Sequence, residues 1–361
     1  MDSQTTGLDF AVIGHQDGWH NIKAFMNAVR TAELPPLPDA EIKGIFPFIP
    51  ARDLFRVKVR SATGDEINGV YIETFIDPDK LSPAHARKNM AKVMRAAACA
   101  RKLGARITTL GGFSSIVMEG NLESLTTGEN RFTTGNTLTA AFIVHGVEKA
   151  ACQYGINLKA SVCLVIGSTG DIGLACVRYM KNRVARLLLC ARNTRQLEQQ
   201  ALDLEKEHIN VSHSVQLSDI CGEADIIISV TSSSGISIPL FRKNALICDA
   251  GYPKNLETAK GAFLFHGGMG QVSRGFDFIP DYSGSFYRYP APRVIHGCIL
   301  EAMVLAFEKK YEDYSAGKGN ISVEKMNEVY RLALKHGVDV APFYNASGQW
   351  PGASSLKYEM R

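Results

Sequence analysis

Near the end of the chain, RVIHGCILEAMVLAFEKKYEDY (293–314) carries residues suited to covalent chemistry. Its apolar spacing predicts an amphipathic helix with His296 and Cys298 at the head. The thiolate is the nucleophilic form of cysteine, and the positive end of a helix favours the anion, so Cys298 is expected to be activated there. Pro290 and Pro292 precede the pattern, and Gly297 is expected to leave room for another group beside the sulfur. Cys163, Cys190 and Cys248 lie in strand-like runs and Cys152 and Cys176 in helical ones, where buried inert thiols are expected; Cys99 and Cys221 are less easily placed. His296 is a candidate acid or base. Its other reading is a packing or surface histidine, because residues two apart on a helix do not face each other.

A second constellation is SVCLVIGSTGDIGLACVRYMKN (161–182). An apolar strand at 162–166 runs into Gly167, Ser168, Thr169, Gly170, Asp171, Ile172 and Gly173, and helical spacing follows at once. Gly167 permits the tight turn, Gly170 lets backbone approach a pyrophosphate, and Gly173 allows helix and strand to pack closely, which together make a dinucleotide site. Further apolar strands at 186–190, 225–230, 245–250 and 262–268 predict a doubly wound sheet of Rossmann type. The first of these, the second strand of the sheet, ends in CARNTR, offering Arg192, Asn193 and Arg195 where an NAD-selective site has an acid, so NADPH is the expected cofactor. Solvated loop arginines are the competing reading. Thr231 and Gly251 open loops after later strands, where open sheets bind ligands.

Positioning these groups takes more than one domain, and 361 residues suffice for two, or two plus a helical appendage. The expected fold class is α/β in three parts. Residues 1–150 form an α/β substrate domain ending in a connector helix (LTAAFIVHGVEKAACQYG) that stops at Gly155. Residues 151–290 form the Rossmann domain, and 291–361 a helical segment that carries Cys298 and packs back. A net charge of +4 with 21% charged residues is too mild to argue for nucleic acid. No apolar run has the length of a membrane span or signal peptide, which makes cytoplasm the expectation. The eight cysteines show neither CxxC nor zinc-ligand spacing, so free thiols and no metal are expected. In the helix near 83–104, Lys88, Lys92, Arg95, Lys102 and Arg106 recur on one face opposite Met90, Met94 and Ala97. Such a stripe is either a docking face for an acidic carrier or a solvated surface.

Several strings are specific enough to suggest kinship: LGGFSS (110–115), ENRFTTGNTLTAA (129–141), VIGSTGDIG (165–173), GYPKNL (251–256), CILEAM (298–303) and ISVEKM (321–326). Over about residues 55–340 the chain resembles the long-chain acyl-[acyl-carrier-protein] reductases, which make fatty aldehydes for bacterial alkane synthesis. The resemblance implies NADPH-dependent reduction of a long-chain acyl thioester, on acyl carrier protein or coenzyme A, through an acyl-enzyme on Cys298. It also implies an aldehyde-consuming enzyme as a partner. It places Gly111, Gly112, Phe113, Ser114, Ser115, Thr134 and Asn136 near the substrate, although the polar ones also suit caps and turns. The family commonly has a histidine where this chain has Leu138, and residues 1–50 and the tail from 344 match poorly. Acyl chain length and carrier stay open. ADIIISVTSSSG and CDAGYPKN look like the nicotinamide side of glutamyl-tRNA reductase and shikimate dehydrogenase, and an NADP-dependent dehydrogenase or reductase of that type is the alternative. A dinucleotide-sensing protein without turnover is a further reading.

Overall fold

The computed structural model describes residues 7–350 apart from 17, 29–34, 82, 119–124, 126–128, 232–240, 252–253, 255, 257–261, 280–288, 290 and 316. Pro290, most of the TSSSG string, half of GYPKNL and the tail beyond 350 therefore lie outside the described residues.

In chain order the main strands are β1 (Phe10–Gly14), β2 (Arg52–Arg60), β3 (Glu66–Glu73), β4 (Ile107–Leu110), β5 (Arg131–Thr133), β6 (Val162–Ile166), β7 (Arg186–Cys190), β8 (Val211–Ser214), β9 (Ile226–Ser229), β10 (Leu246–Asp249), β11 (Phe263–His266), β12 (Met269–Val272), β13 (Asp277–Ile279), β14 (Val294–His296) and β15 (Val338–Val340). Among the described residues the α-helices are α1 (Trp19–Ala28), α2 (Asp39–Ile45), α3 (Ala86–Lys102), α4 (Phe113–Val117), α5 (Asn136–Gln153), α6 (Asp171–Met180), α7 (Thr194–Lys206), α8 (Gly297–Phe307) and α9 (Val323–Lys335).

Two six-stranded sheets result. The first runs β13-β2-β3-β1-β4-β5, parallel from β3 to β5 and antiparallel at the β13-β2-β3 edge. The second runs β11-β10-β9-β6-β7-β8 and is parallel throughout, as the Rossmann reading requires. Its β6 reads VCLVI without alternation because both faces of a parallel strand are covered. Strand order reverses between β6 and β9, so the loops after these strands part and leave a crevice at their carboxyl ends.

Two helices join the sheets into one core. α5 ends at Gln153, with Gly155 in the left-handed conformation just beyond it, and packs against α6, α8 and α9. α8 departs from the expected amphipathic helix over 293–314. Residues 294–296 are a strand paired with β12, the helix ends at Phe307, and every residue of α8 except Cys298 is buried. A helix that is apolar all round belongs in the interior, and each fully buried leucine or valine contributes about 1.5–3 kcal/mol. β12, β14 and β15 form a small antiparallel sheet, while β13 returns to pair with β2. The chain thus crosses back to the first sheet before residue 290.

The starts of α5 and α8 touch through two glycines. Gly135, the residue before α5, has φ +72°, and a Cβ there would lie 2.2 Å from Cys298 Cα. A Cβ on Gly297 would lie 2.9 Å from Thr139 Cα and 3.0 Å from the Gly268 carbonyl oxygen. The Cβ side of Gly297 is therefore filled by α5 and the β11–β12 turn. Gly135→Ala combines a left-handed backbone with a clash against backbone; it should lower unfolding free energy by about 3 kcal/mol in denaturant titration, whereas a change below about 1 kcal/mol would refute the close approach.

Candidate active site

A cleft of about 220 Å³ lies where the carboxyl ends of the two sheets face each other. Gly112, Ser115 and Ile116 enter it from the turn after β4, Thr134, Asn136 and Thr139 from the start of α5, and Gly170, Asp171 and Ile172 from the turn after β6. Thr231, Gly251 and Lys254 follow the next strands of the second sheet, Gly267 and Gly268 come from the β11–β12 turn, and His296, Gly297 and Cys298 complete the wall. The structure thus brings together both expected catalytic residues and nine of the other expected site residues.

Cys298 is held from several sides. Its carbonyl accepts the Thr109 hydroxyl at 2.7 Å, and the backbone N–H groups of Gly112, Ile299 and Cys298 itself pull its thiol pKa down. Gly297 N–H donates to Gly268 O at 3.1 Å, fixing where the helix begins. The turn after β4 thus favours the thiolate through Gly112 N–H, while the β11–β12 turn presents the Gly268 carbonyl to Gly297. These donors favour the thiolate, yet burial outweighs them, and with the Glu301 carboxylate nearby the thiol is pushed up to about 11. The expected activation by the helix N-terminus is overruled by desolvation, and the resting group is a thiol. His296 ends β14 with its Nε2 2.6 Å from the Tyr289 hydroxyl, so it shares the cleft with Cys298 without sharing its helix.

Glu301 went unnoticed by the motif-based reading. It is fully buried one turn after Cys298 and accepts from the Thr133 hydroxyl, from Ser315 Oγ at 2.6 Å and from Leu138 N–H at 2.7 Å. Burial raises its carboxyl above the usual range while these donors pull the other way. The carboxylate therefore caps α5 from a different helix. An acid inside the apolar run CILEAMVLAF was its visible signal.

On the dinucleotide side the residues fit the expected group. A Cβ on Gly173 would lie 2.1 Å from the Gly167 carbonyl oxygen, so helix and turn need a glycine to meet. α6 starts without a side-chain cap, leaving first-turn N–H groups for an anion, and the buried Ser168 Oγ has no partner among the described residues. The Asp171 carboxylate is committed elsewhere, accepting from Asn136 Nδ2 at 2.8 Å and Gly319 N–H at 2.9 Å. This clasp ties the dinucleotide turn to α5. Arg192 and Arg195 are exposed just past β7, and Asn193 caps α7 through Gln196 N–H. Thr169 is half-buried outside the cleft wall.

Other expected residues act as supports. Ser115 Oγ donates to Gly112 O at 2.8 Å, and Thr134 Oγ1 donates to Ser315 O at 3.2 Å. Gly111 N–H donates to Ile13 O, Phe113 leads α4, and Ser114 is buried with its hydroxyl unpartnered among the described residues. Asp249 accepts from Gly251 and Leu256 N–H and shapes that turn, while Lys254 donates to Gly267 O at 3.1 Å with burial lowering its ammonium pKa. The basic stripe on α3 is interrupted. Lys92 turns inward to the carbonyls of Pro47 and Phe75, where burial lowers it to about 8, and Met94 is exposed instead. Among the cysteines, burial pushes Cys163 to about 12 and Cys190 to about 11, whereas Cys152, expected to be buried, is exposed.

Fold and cleft together define an oxidoreductase with a dinucleotide-binding sheet and a cysteine facing it. No family model matches the chain. It is 35% identical over 303 residues to the long-chain acyl-[acyl-carrier-protein] reductase of Synechococcus elongatus, a match spanning 80% of this chain and 87% of that protein. The chain belongs to the long-chain acyl-[acyl-carrier-protein] reductase family. It is also 23% identical over 293 residues to the aminotransferase PigE of a Serratia species, covering 79% of this chain but 34% of that larger protein. Among solved structures, L-tryptophan dehydrogenase from Nostoc punctiforme aligns over 92% of this chain and 81% of its own, at 11% identity and TM-score 0.39, too distant to inform the site.

A thiol at about 11 makes a kinetic statement. Because only the thiolate reacts, iodoacetamide labelling of the Cys298 peptide should rise about 100-fold from pH 7 to pH 9 without levelling off. A plateau below pH 8 would mean that the helix and its donors outweigh burial.

Proposed function

We propose that the chain reduces a long-chain acyl thioester, carried on acyl carrier protein or coenzyme A, to the aldehyde, with Cys298 as nucleophile and NADPH as reductant. One observation carries this reading: Cys298 and the Gly112 turn line a cleft that the uncapped start of α6 also lines. The family assignment supports it.

In the first step the bond from Cys298 Sγ to the acyl carbon forms and the donor's carbon–sulfur bond breaks. The thiol proton passes through His296 to the departing carrier thiolate. Negative charge on the tetrahedral oxygen is stabilised by backbone N–H groups of the Gly112 turn and the start of α8, which already favour the thiolate. NADPH, when bound, supplies the hydride that reduces the acyl group. The tetrahedral alkoxide left on Cys298 then expels the sulfur, aldehyde leaves, and the thiolate recovers a proton through His296. Thioester, reductant and one proton thus become aldehyde, carrier thiol and oxidised cofactor. The exposed Arg192 and Arg195 supply the charge that a 2′-phosphate needs. Cytoplasm, which keeps thiols reduced, suits eight free cysteines, and an apolar aldehyde calls for a consuming enzyme nearby.

With long-chain acyl-carrier protein and NADPH the protein should form long-chain aldehyde. Cys298→Ala should reduce output by at least about 1,000-fold and leave cofactor binding intact; undiminished output from that folded variant would end the proposal. Arg192→Ser combined with Arg195→Ser should raise KM for NADPH by about 10- to 100-fold and spare NADH. Equal effects on both cofactors would remove the 2′-phosphate assignment.

A further inference from the structure

The turn of the first sheet that lines the cleft beside Cys298 is short. β4 ends at Leu110, Gly111 N–H is bonded to Ile13 O at 2.8 Å, and Gly112 then turns with φ +50° before α4 starts. Within the turn, the carbonyl of the peptide that carries the Gly112 N–H accepts Ser114 N–H at 3.1 Å, and the Gly112 carbonyl accepts Ser115 N–H at 3.2 Å and Ser115 Oγ at 2.8 Å. The next peptide is held from outside as well, because Phe113 N–H donates to the imidazole Nε2 of His15 at 2.9 Å. His15 follows β1, the parallel neighbour of β4, and is 5% exposed. Its ring meets the Phe113 ring edge-on at 6.2 Å. His15 does not line the cleft, so packing alone is its bland role.

The bond has chemical content beyond packing. An imidazole nitrogen that accepts an N–H is unprotonated, which fixes the His15 tautomer with its hydrogen on Nδ1. The peptides on either side of Gly112 share that residue's two dihedrals, so pinning Phe113 N–H restricts the swing of Gly112 N–H. At the other end, β1 is anchored firmly. Gln16 Nε2 donates to the buried Glu73 carboxylate at 2.9 Å, and Glu73 also accepts from the Tyr71 hydroxyl and Phe75 N–H. A rigid polar anchor at the ends of β1 and β3 thus connects through one imidazole to the turn that faces the sulfur.

We propose that His15 is a positioning residue, which by accepting the Phe113 N–H holds the Gly112 N–H on Cys298 and on the oxygen that becomes negative when the sulfur is acylated. This inference rests on the thioester reading above. It makes a specific demand on the side chain at position 15: an acceptor at the place of Nε2. Glutamine can supply that acceptor, and phenylalanine cannot.

Formation of the acyl adduct on Cys298 is followed by intact mass, using long-chain acyl-carrier protein without NADPH, for wild type, His15→Gln and His15→Phe. His15→Phe should acylate about 10- to 100-fold more slowly, the scale for spoiling an oxyanion donor without removing it. His15→Gln should stay within about threefold of wild type, and both variants should keep the wild-type Kd for NADPH, since the dinucleotide wall is untouched. Iodoacetamide labelling of Cys298 at pH 8 should slow in His15→Phe and recover in His15→Gln. If phenylalanine is not accommodated, His15→Leu serves the same purpose. Acylation at the wild-type rate in the folded Phe or Leu variant overturns the role of His15, as does a folded Gln variant as slow as Phe. Absence of any adduct in wild type overturns the thioester reading itself, and the inference with it.

Discussion

The approach of two helix starts governs this molecule. α5 and α8 meet where Gly135 lies against Cys298, and the join is sealed by the Glu301 carboxylate reaching from α8 to the first turn of α5. A buried carboxylate is tolerable only if its oxygens are occupied, and Thr133, Ser315 and Leu138 occupy them. Losing one partner of such a group leaves the others unsatisfied, which costs more than the bond itself contributed. The junction therefore behaves as a single unit: TTGNT loop, Ser315 and cysteine helix hold one another in place.

That placement has a chemical consequence. A helix N-terminus stabilises a nearby anion by up to about 2 kcal/mol, roughly one and a half pKa units, whereas full burial can shift a group by several. In this cleft burial prevails, and Cys298 rests as a thiol at about 11. On the proposed reading, reactivity then depends on a base and on a substrate carbonyl arriving beside the Gly112 turn. The Asn136–Asp171 hydrogen bond links the same junction to the dinucleotide turn, so one arrangement of backbone sets the position of both walls.

Local chemistry was legible in the sequence and tertiary chemistry was not. The strand, turn and helix at 162–180 need only neighbouring residues, and they form as the glycine spacing requires. The head of α8 misleads because Val294–His296 is claimed by β12, more than twenty residues earlier, and no helical periodicity reveals such a pairing. Lys92 reads as part of a charged stripe, yet its partners are carbonyls 45 and 17 residues away. Gly297 lines the cleft, but its need to be glycine comes from Thr139 and Gly268, residues distant in sequence. His15 carries no motif at all; its bond to Phe113 spans 98 residues and exists only because β1 and β4 are neighbours.

The most direct test of the account is a chase. Protein loaded with a long-chain acyl group in the absence of cofactor, then freed of unreacted donor, is mixed with NADPH. The account requires the mass adduct on the Cys298 peptide to disappear and an equal amount of aldehyde to form, at a rate no slower than steady-state turnover. An adduct that survives the chase, or discharges more slowly than the enzyme turns over, would show that the sulfur in the cleft is not on the reaction path.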